Sequence, residues 1–357
     1  MLNPSLSYLS EKADESVDLS DEDIRLAADL LASPEPPPEH KERFLLSLSN
    51  KGETPREIAA FATRFRELAR DPNLGDLAID AIDVCGTGGD KSGSFNISTF
   101  VAFTLAAGGV RVLKHGNRSI TSKCGSADLI EGVGICLDTP TNLLRTAAQE
   151  LNFTFLFAPS FHPTFKEIMP VRKNLADQGR HTIFNLLGPL INPARPSFQL
   201  LGVFSPMLVE PLAETLHALG LRRGLVVHGK TGDDCGMDEL TCAGENVAAG
   251  FGELAELREE AWSPAAFGLT PCPKGDLAGG NLEDNLRIMG DVLSGRAPEG
   301  LIATIAANAG TAFFIAEKAD DIREGTTLAK DLILGDSVRN WLDRAKAFYA
   351  EHSSDAS

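Results

Sequence analysis

The chain has no pair of cysteines spaced as CxxC, so neither a zinc knuckle nor a thioredoxin-type redox motif is written into it. Its six cysteines (Cys85, Cys124, Cys136, Cys235, Cys242 and Cys272) are scattered through 357 residues. A chain of that length buries enough core to do without a disulfide framework. They are expected to be reduced thiols of a cytoplasmic protein. Positive charge is also short: 33 lysines and arginines face 50 acidic residues, a net −17. On average such a surface repels nucleic acid and anionic membrane, and neither is an expected partner. Long apolar runs are missing as well. The least charged stretch, Ser92–Val110, carries Asn96, Ser98, Thr99 and Thr104 and is expected to be a buried helix, not the ~20 apolar residues of a span. The N-terminal MLNPSLSYLSEKADESVD is acidic, which does not suit a signal peptide. No internal repeat or low-complexity tail is found.

What is present is a chain that changes character near residue 76. Residues 18–33 carry Ser20 ahead of acidic residues and an apolar stripe of Ile24, Ala27, Leu30 and Leu31, the pattern of a capped helix. The proline run in SPEPPPEHK, 33–41, reads as a connector. Two further helical patterns follow at Lys41–Leu48 and Thr54–Ala69, the second opening with Thr54-Pro55. Residues 1–76 therefore read as a small helical domain, and 77–357 as a large one. In the latter, apolar runs at Ala81–Val84, Val110–Leu113, Phe153–Phe157, Phe198–Phe204 and Gly224–His228 alternate with helical segments. That order predicts an α/β fold with a mostly parallel central sheet covered on both faces. The last third reads as mostly helical.

Chemistry concentrates between Asp83 and Asp128. GTGGD, Gly86–Asp90, follows a strand and precedes a helix beginning near Asn96–Thr99. Glycines let the backbone approach an anion, and a helix start points free N–H groups and a positive dipole end at it. The loop matches neither GxGxxG nor the GK[ST] ending of an ATP-binding loop. KHGNRS, Lys114–Ser119, ends the next strand, where open α/β sheets bind ligands. KCGSAD, 123–128, opens another helix. Two donor-rich loops one strand–helix unit apart make a cradle for a molecule with phosphate at both ends. Further on, Asp238-Glu239 is a pair of hard oxygen ligands suited to Mg2+, next to Asp233 and Asp234. HPTFKEIMPVRKNL, 162–175, brings Arg172, whose planar fork holds a carboxylate in a way lysine does not. FNLLGPLINPA, 184–194, reads as an apolar wall.

Taken together and in this order, GTGGD, NIST (Asn96–Thr99), KHGNRS, KxGSAD, HPxxKxxMPVRK, NLLGPLxNP and the DE pair resemble the anthranilate phosphoribosyltransferase family. Asn308–Gly310 and Glu324-Gly325 fit it too, and the resemblance runs from about residue 18 to about 350. It implies transfer of phosphoribose from 5-phosphoribosyl 1-pyrophosphate to anthranilate, in tryptophan biosynthesis, by a Mg2+-dependent homodimer. It also implies that a segment near 165–182 returns to the small domain. The family's roles, carried over, place Gly86, Gly89, Asp90, Ser94, Asn96, Ile97, Ser98, Thr99, Lys114, His115, Gly116, Asn117, Arg118, Ser119, Ser122 and Ser126 on the donor. Gly86, Asn117 and Arg172 fall to anthranilate, and Ser98, Asp238 and Glu239 to Mg2+. No catalytic acid or base is implied. Cys124 stands where the family often has serine, and His181 where arginine is common. The 174–185 link is longer than usual. A same-fold phosphorylase or phosphoribosyltransferase with another acceptor is the alternative this link supports. A nucleic-acid-binding relative that has lost catalysis would need an extended basic surface.

Overall fold

The computed structural model describes residues 5–118, 123–232 and 236–352. Its first part is helical: α1 (Leu6–Asp14), α2 (Asp21–Ala32), α3 (Pro38–Lys51), α4 (Pro55–Glu67) and the short α5 (Gly75–Ala78). Local sequence accounts for the helix starts. Ser20 and Thr54 each accept the N–H three residues on, and Asp23 and Glu57 reach back to the cap, two reciprocal capping boxes. The connector expected at 33–41 is shorter, because α3 begins at Pro38. Proline at the first helical position gives up only an N–H that has no intrahelical partner. Helix α1 carried no expectation from the sequence.

The α/β part then runs β1 (Ala81–Gly86), α6 (Ile97–Ala107), β2 (Arg111–Gly116), α7 (Ser126–Gly132), α8 (Thr141–Glu150) and β3 (Phe153–Phe157). Next come α9 (Ala158–Phe161), α10 (Met169–Asp177), α11 (Phe184–Leu187), β4 (Phe198–Gly202), α12 (Val209–Ala218) and β5 (Arg223–Lys230). The chain closes with β6 (Gly236–Met237), β7 (Asn246–Gly252), β8 (Arg258–Trp262) and helices α13 (Leu282–Leu293), α14 (Glu299–Ile315), α15 (Ile322–Leu334) and α16 (Ser337–His352). Strands lie in the order β3-β2-β1-β4-β5-β7-β8, with β6 beside β5. The five strands β3 to β5 are parallel. β6 and β7 run antiparallel to β5, and β8 antiparallel to β7. This is the small helical domain plus mostly parallel α/β domain that the sequence implies.

Order reverses between β1 and β4: the chain steps outward through β2 and β3, then returns to the other side of β1. A sheet with such a switch point opens a crevice at the carboxyl ends of its strands. Helices α6 and α14, buried along nearly their whole length, pack on each other beneath that edge. No described helix is long and apolar enough to cross a membrane. On the other side, α10 packs against α3. The buried Lys41 of α3 donates to three main-chain carbonyls, those of Leu31, Ser33 and Glu167.

Candidate active site

A cleft of about 660 Å³ opens at the switch point. Its floor is the loop after β1. Gly88, Gly89 and Gly93 have φ of 70°, 81° and 67°, a region closed to most side chains, and this lets the loop fold back over the strand ends. Thr87 N donates to Gly202 O at the end of β4. On the far side Phe95 N donates to Leu277 O and Gly279 N to Gly93 O. The loop then delivers Asn96, Ser98 and Thr99 at the start of α6.

The acidic pair reaches the same place by close backbone approach. Asp238 and Glu239 follow β6 and pass over glycines at the ends of three adjacent strands. A Cβ on Gly86 would lie 2.1 Å from Asp238 Oδ2, one on Gly202 1.5 Å from Asp238 O, and one on Gly229 2.5 Å from Glu239 O. Gly88 N donates to Asp238 Oδ2 at 2.7 Å. Asp90, Asp238 and Glu239 each put a carboxylate oxygen within 4.8 Å of the others. Burial first, then their mutual repulsion, raises the pKa of Asp238 and of Glu239 above the ordinary carboxylate range. Glu239 Oε2 is buried with no hydrogen-bond partner. Three converging carboxylates with an orphaned oxygen fit a hard divalent cation. Asp90, which the sequence assigns to the donor, thus stands in the acidic cluster as well.

Lys114, at the end of β2, is 1 % exposed. Its ammonium donates to Val84 O and to Ser98 Oγ, the latter at 3.4 Å. Burial lowers its pKa, opposed by Asp83, Glu239 and Asp238. Asp83 itself is pushed up to about 6 by burial and held by Asn192 Nδ2 at 2.8 Å. On the second loop Ser126 Oγ donates to the Asn117 carbonyl, and the N–H of Gly125 donates to Asp128. Arg118 already forms ion pairs with Asp128 at 3.0 Å and Glu131 at 2.9 Å.

The opposite wall is aromatic. Rings run from His115 to His162 (5.1 Å between centroids), to Phe165 (5.3 Å) and to Phe184 (5.7 Å), and the Arg172 guanidinium lies 5.2 Å from the Phe184 ring. Gly188, Pro189 and Ile191 complete this wall. Burial depresses His115 to about 3 and His162 to about 4, so both imidazoles are neutral. The Gly188 carbonyl bonds one ring and the Ile191 carbonyl the other, while each Nε2 is buried without a partner. This wall thus carries a guanidinium and two neutral imidazoles.

Of the residues singled out from the sequence, Gly86, Gly89, Asp90, Ser94, Asn96, Ser98, Thr99, Lys114, His115, Gly116, Asn117, Arg118, Ser126, Arg172, Asp238 and Glu239 all line this one cleft. Ile97 does not. Its side chain is fully buried in the core and its N–H donates to Phe95 O. Ser119, Ser122, Asp233 and Asp234 lie outside the described residues. Sequence reasoning missed Asn285, Gly279 and Gly280, which line the cleft from the start of α13, and Gly202 beneath the acidic pair.

Residues 78–336 match the model of the glycosyl transferase family a/b domain, and residues 6–69 that of its helical bundle domain. An anthranilate phosphoribosyltransferase of Aeromonas hydrophila is 44 % identical over 78 % of this chain and 79 % of its own. The chain belongs to the anthranilate phosphoribosyltransferase family. A second member, from Persephonella marina, is 36 % identical over 94 % of this chain and 97 % of its own. The crystal structure of the anthranilate phosphoribosyltransferase of Thermus thermophilus superposes with a TM-score of 0.85 at 40 % identity, covering 96 % of this chain and 99 % of that one. The yeast anthranilate phosphoribosyltransferase, whose structure is in complex with PRPP and Mg, shares the fold at a TM-score of 0.80 and 24 % identity, over 97 % of this chain and 98 % of that one.

Proposed function

We propose that this chain transfers phosphoribose from 5-phosphoribosyl 1-pyrophosphate to the amine of anthranilate. The products are N-(5-phosphoribosyl)anthranilate and pyrophosphate, a step of tryptophan biosynthesis. One observation carries the reading: two donor-rich loops, three carboxylates and an arginine-bearing aromatic wall share one cleft. The donor lies along Gly86–Asp90, Ser94, Asn96, Ser98, Thr99 and Lys114, and along His115–Arg118 and Ser126 of the second loop. Backbone N–H groups and the start of α6 face its phosphates. Asp238, Glu239 and Asp90, with Ser98 nearby, would hold Mg2+, whose chemistry when bound is to offset charge on the departing pyrophosphate.

Anthranilate carries a carboxylate ortho to an amine. Arg172 takes the carboxylate, Asn117 and the backbone at Gly86 frame the ring, and the aromatic wall excludes water. An aromatic amine is neutral at pH 7, so its lone pair is free to attack the anomeric carbon. The C–O bond to pyrophosphate breaks as the C–N bond forms, and the nitrogen then sheds a proton to solvent. The main barrier is positive charge developing on the ribose, as in glycoside cleavage. No general base is required, in keeping with the low basicity that burial gives the two imidazoles of this wall.

The small domain is taken as residues 1–76, with 165–182 returning to it and 77–357 forming the large domain. Support comes from Lys41 to Glu167 O, Asn174 to Glu42 and Ser49 to His181 O. The enzyme acts as a cytoplasmic homodimer in this reading, on the strength of the family resemblance. The test is the loss of anthranilate fluorescence on mixing enzyme, 5-phosphoribosyl 1-pyrophosphate and Mg2+. Fluorescence that stays constant while another nucleophile releases pyrophosphate would reassign the acceptor.

A further inference from the structure

Asn285 sits on α13, nearly two hundred residues from the donor loops in sequence, yet it lines the cleft and is 1 % exposed. Its amide links two elements. Nδ2 donates to Asn96 Oδ1 at 2.8 Å and to Gly280 O at 3.3 Å. Oδ1 accepts from Gly280 N at 2.9 Å. Asn96 in turn donates from Nδ2 to Cys124 O at 3.1 Å. The series Gly280, Asn285, Asn96, Cys124 therefore spans from α13 across the first anion loop to the second.

Both ends of this series have fixed polarity. The Gly280 N–H donates and cannot accept; the Cys124 carbonyl accepts and cannot donate. An amide has one donating and one accepting end, so both asparagines are forced into a single orientation. A flip of either sets two acceptors or two donors face to face. Asn96 makes no cap bond to α6, which leaves its amide to this series. After its two bonds it retains one N–H and one oxygen lone pair. The orientation imposed from Asn285 decides which of these meets the cleft.

We propose that Asn285 is a positioning residue for the donor: it sets the orientation of the Asn96 amide and so ties Asn96, after the first anion loop, to Cys124 of the second. This rests on the donor reading given above. Asn285→Asp is the sharpest probe because shape is kept while the donor toward Asn96 is lost. The Asn96 amide then turns to offer Nδ2 to residue 285, its Oδ1 faces the Cys124 carbonyl, and that bond is lost.

Calorimetric titration with 5-phosphoribosyl 1-pyrophosphate and Mg2+ reads donor affinity directly, with melting temperature recorded alongside. Asn285→Asp and Asn285→Ser are made together, so that misfolding of one leaves the other to decide. Each is expected to weaken donor binding about tenfold, the worth of a lost or inverted polar contact, while the KM for anthranilate changes by less than about twofold. In an Asn96→Ala background the same substitutions should add less than about twofold, since residues acting through one another are not additive. Donor affinity within about twofold of the parent, or a full loss that persists without the Asn96 amide, overturns the proposal. Failure of the unmodified protein to bind the donor would instead overturn the functional reading.

Discussion

Gly202 touches no proposed substrate, yet its replacement should cripple the site. It ends β4, and the main chain of Asp238 passes directly over it. A Cβ at this position would lie 1.5 Å from Asp238 O and 2.2 Å from Asp238 C. Carbon–oxygen contacts below about 3 Å do not persist in a packed interior, so one chain must yield by about 1.5 Å. β4 is hydrogen-bonded on both sides, to β1 and β5, and does not move cheaply. The segment carrying Asp238 and Glu239 moves instead. Displacement of functional groups by about 1 Å costs on the order of 10²-fold in rate, and overpacking costs about 1–3 kcal/mol of stability. Gly202→Ala is therefore expected to lose about 10²-fold in kcat/KM and to require more Mg2+ for half-activity, while remaining folded. Gly290→Ala, on the open face of α13 with nothing within 4 Å of its Cβ, is the control and should be neutral or slightly stabilising. Coupled fluorescence kinetics with Mg2+ titration and thermal melting supply the measurements. If Gly202→Ala keeps activity within about threefold of the parent, the acidic pair does not need its present position and the metal assignment falls.

Three other outcomes follow from the site. Arg172→Ala should raise the KM for anthranilate by roughly ten- to a hundredfold and leave donor binding alone, as loss of a charged hydrogen-bonding partner does; weaker donor binding with an intact anthranilate KM would refute the role. Asp238→Asn combined with Glu239→Gln removes two repelling carboxylates, so the metal-free protein should be more stable to unfolding by about 1–2 kcal/mol while Mn2+ binding, read by electron paramagnetic resonance, collapses; unchanged Mn2+ affinity would count against the site. His162 is held neutral in the fold, with a pKa near 4 against 6.5 for an ordinary histidine, so below pH 6.5 the unfolded chain binds the proton that the native one refuses. Stability from this group is full above pH 6.5 and drains away as pH falls toward 4; by pH 5 the loss is about 2 kcal/mol. His162→Gln should be less acid-sensitive by that amount in denaturant titrations at pH 7 and pH 5, and equal sensitivity would show the ring to be solvated.

The loops assigned to the donor could be brought together from the sequence because their chemistry is local. GTGGD, NIST and KHGNRS each sit in one turn or one strand end, and a strand–turn–helix order is enough to aim them at a common edge. The aromatic wall, the proposed acceptor side, was only half legible. Arg172 could be named from its motif, but the ring series joins β2 (His115), the segment after α9 (His162, Phe165) and α11 (Phe184), and nothing in spacing says that these meet. The antiparallel strands β7 and β8 escaped because Arg258–Trp262 is charged and partly exposed and Asn246–Gly252 is broken by glycines, unlike the apolar inner strands. Ile97 was carried along with its NIST neighbours, although its side chain alone of the four turns into the core. Gly202 and Asn285 gave no sign at all. A strand-end glycine acquires meaning only from the chain that crosses it, here 36 positions later, and an asparagine in a helical pattern reads as a surface residue until its partners are seen.

Those distant partners explain how the first loop keeps its shape. Lys91 stands at φ 55° without being glycine, and Gly88, Gly89 and Gly93 also occupy the left-handed region. Such a stretch costs on the order of 1–3 kcal/mol per strained side-chain-bearing residue and persists only where surroundings over-determine it. Three supports do so from three directions: β4 through Gly202 O to Thr87 N, the acidic segment through Asp238 to Gly88 N, and the approach to α13 through Leu277 O to Phe95 N. Two of these supports lie far along the chain from the loop they hold, beyond residue 230. A loop fixed in this way gives up little further conformational freedom when a ligand arrives, and binding of the proposed donor would then draw on contacts already aimed at it. The helical C-terminal third is thus part of the cleft's geometry, through Leu277, Gly279 and Asn285, and not only a cover for the sheet.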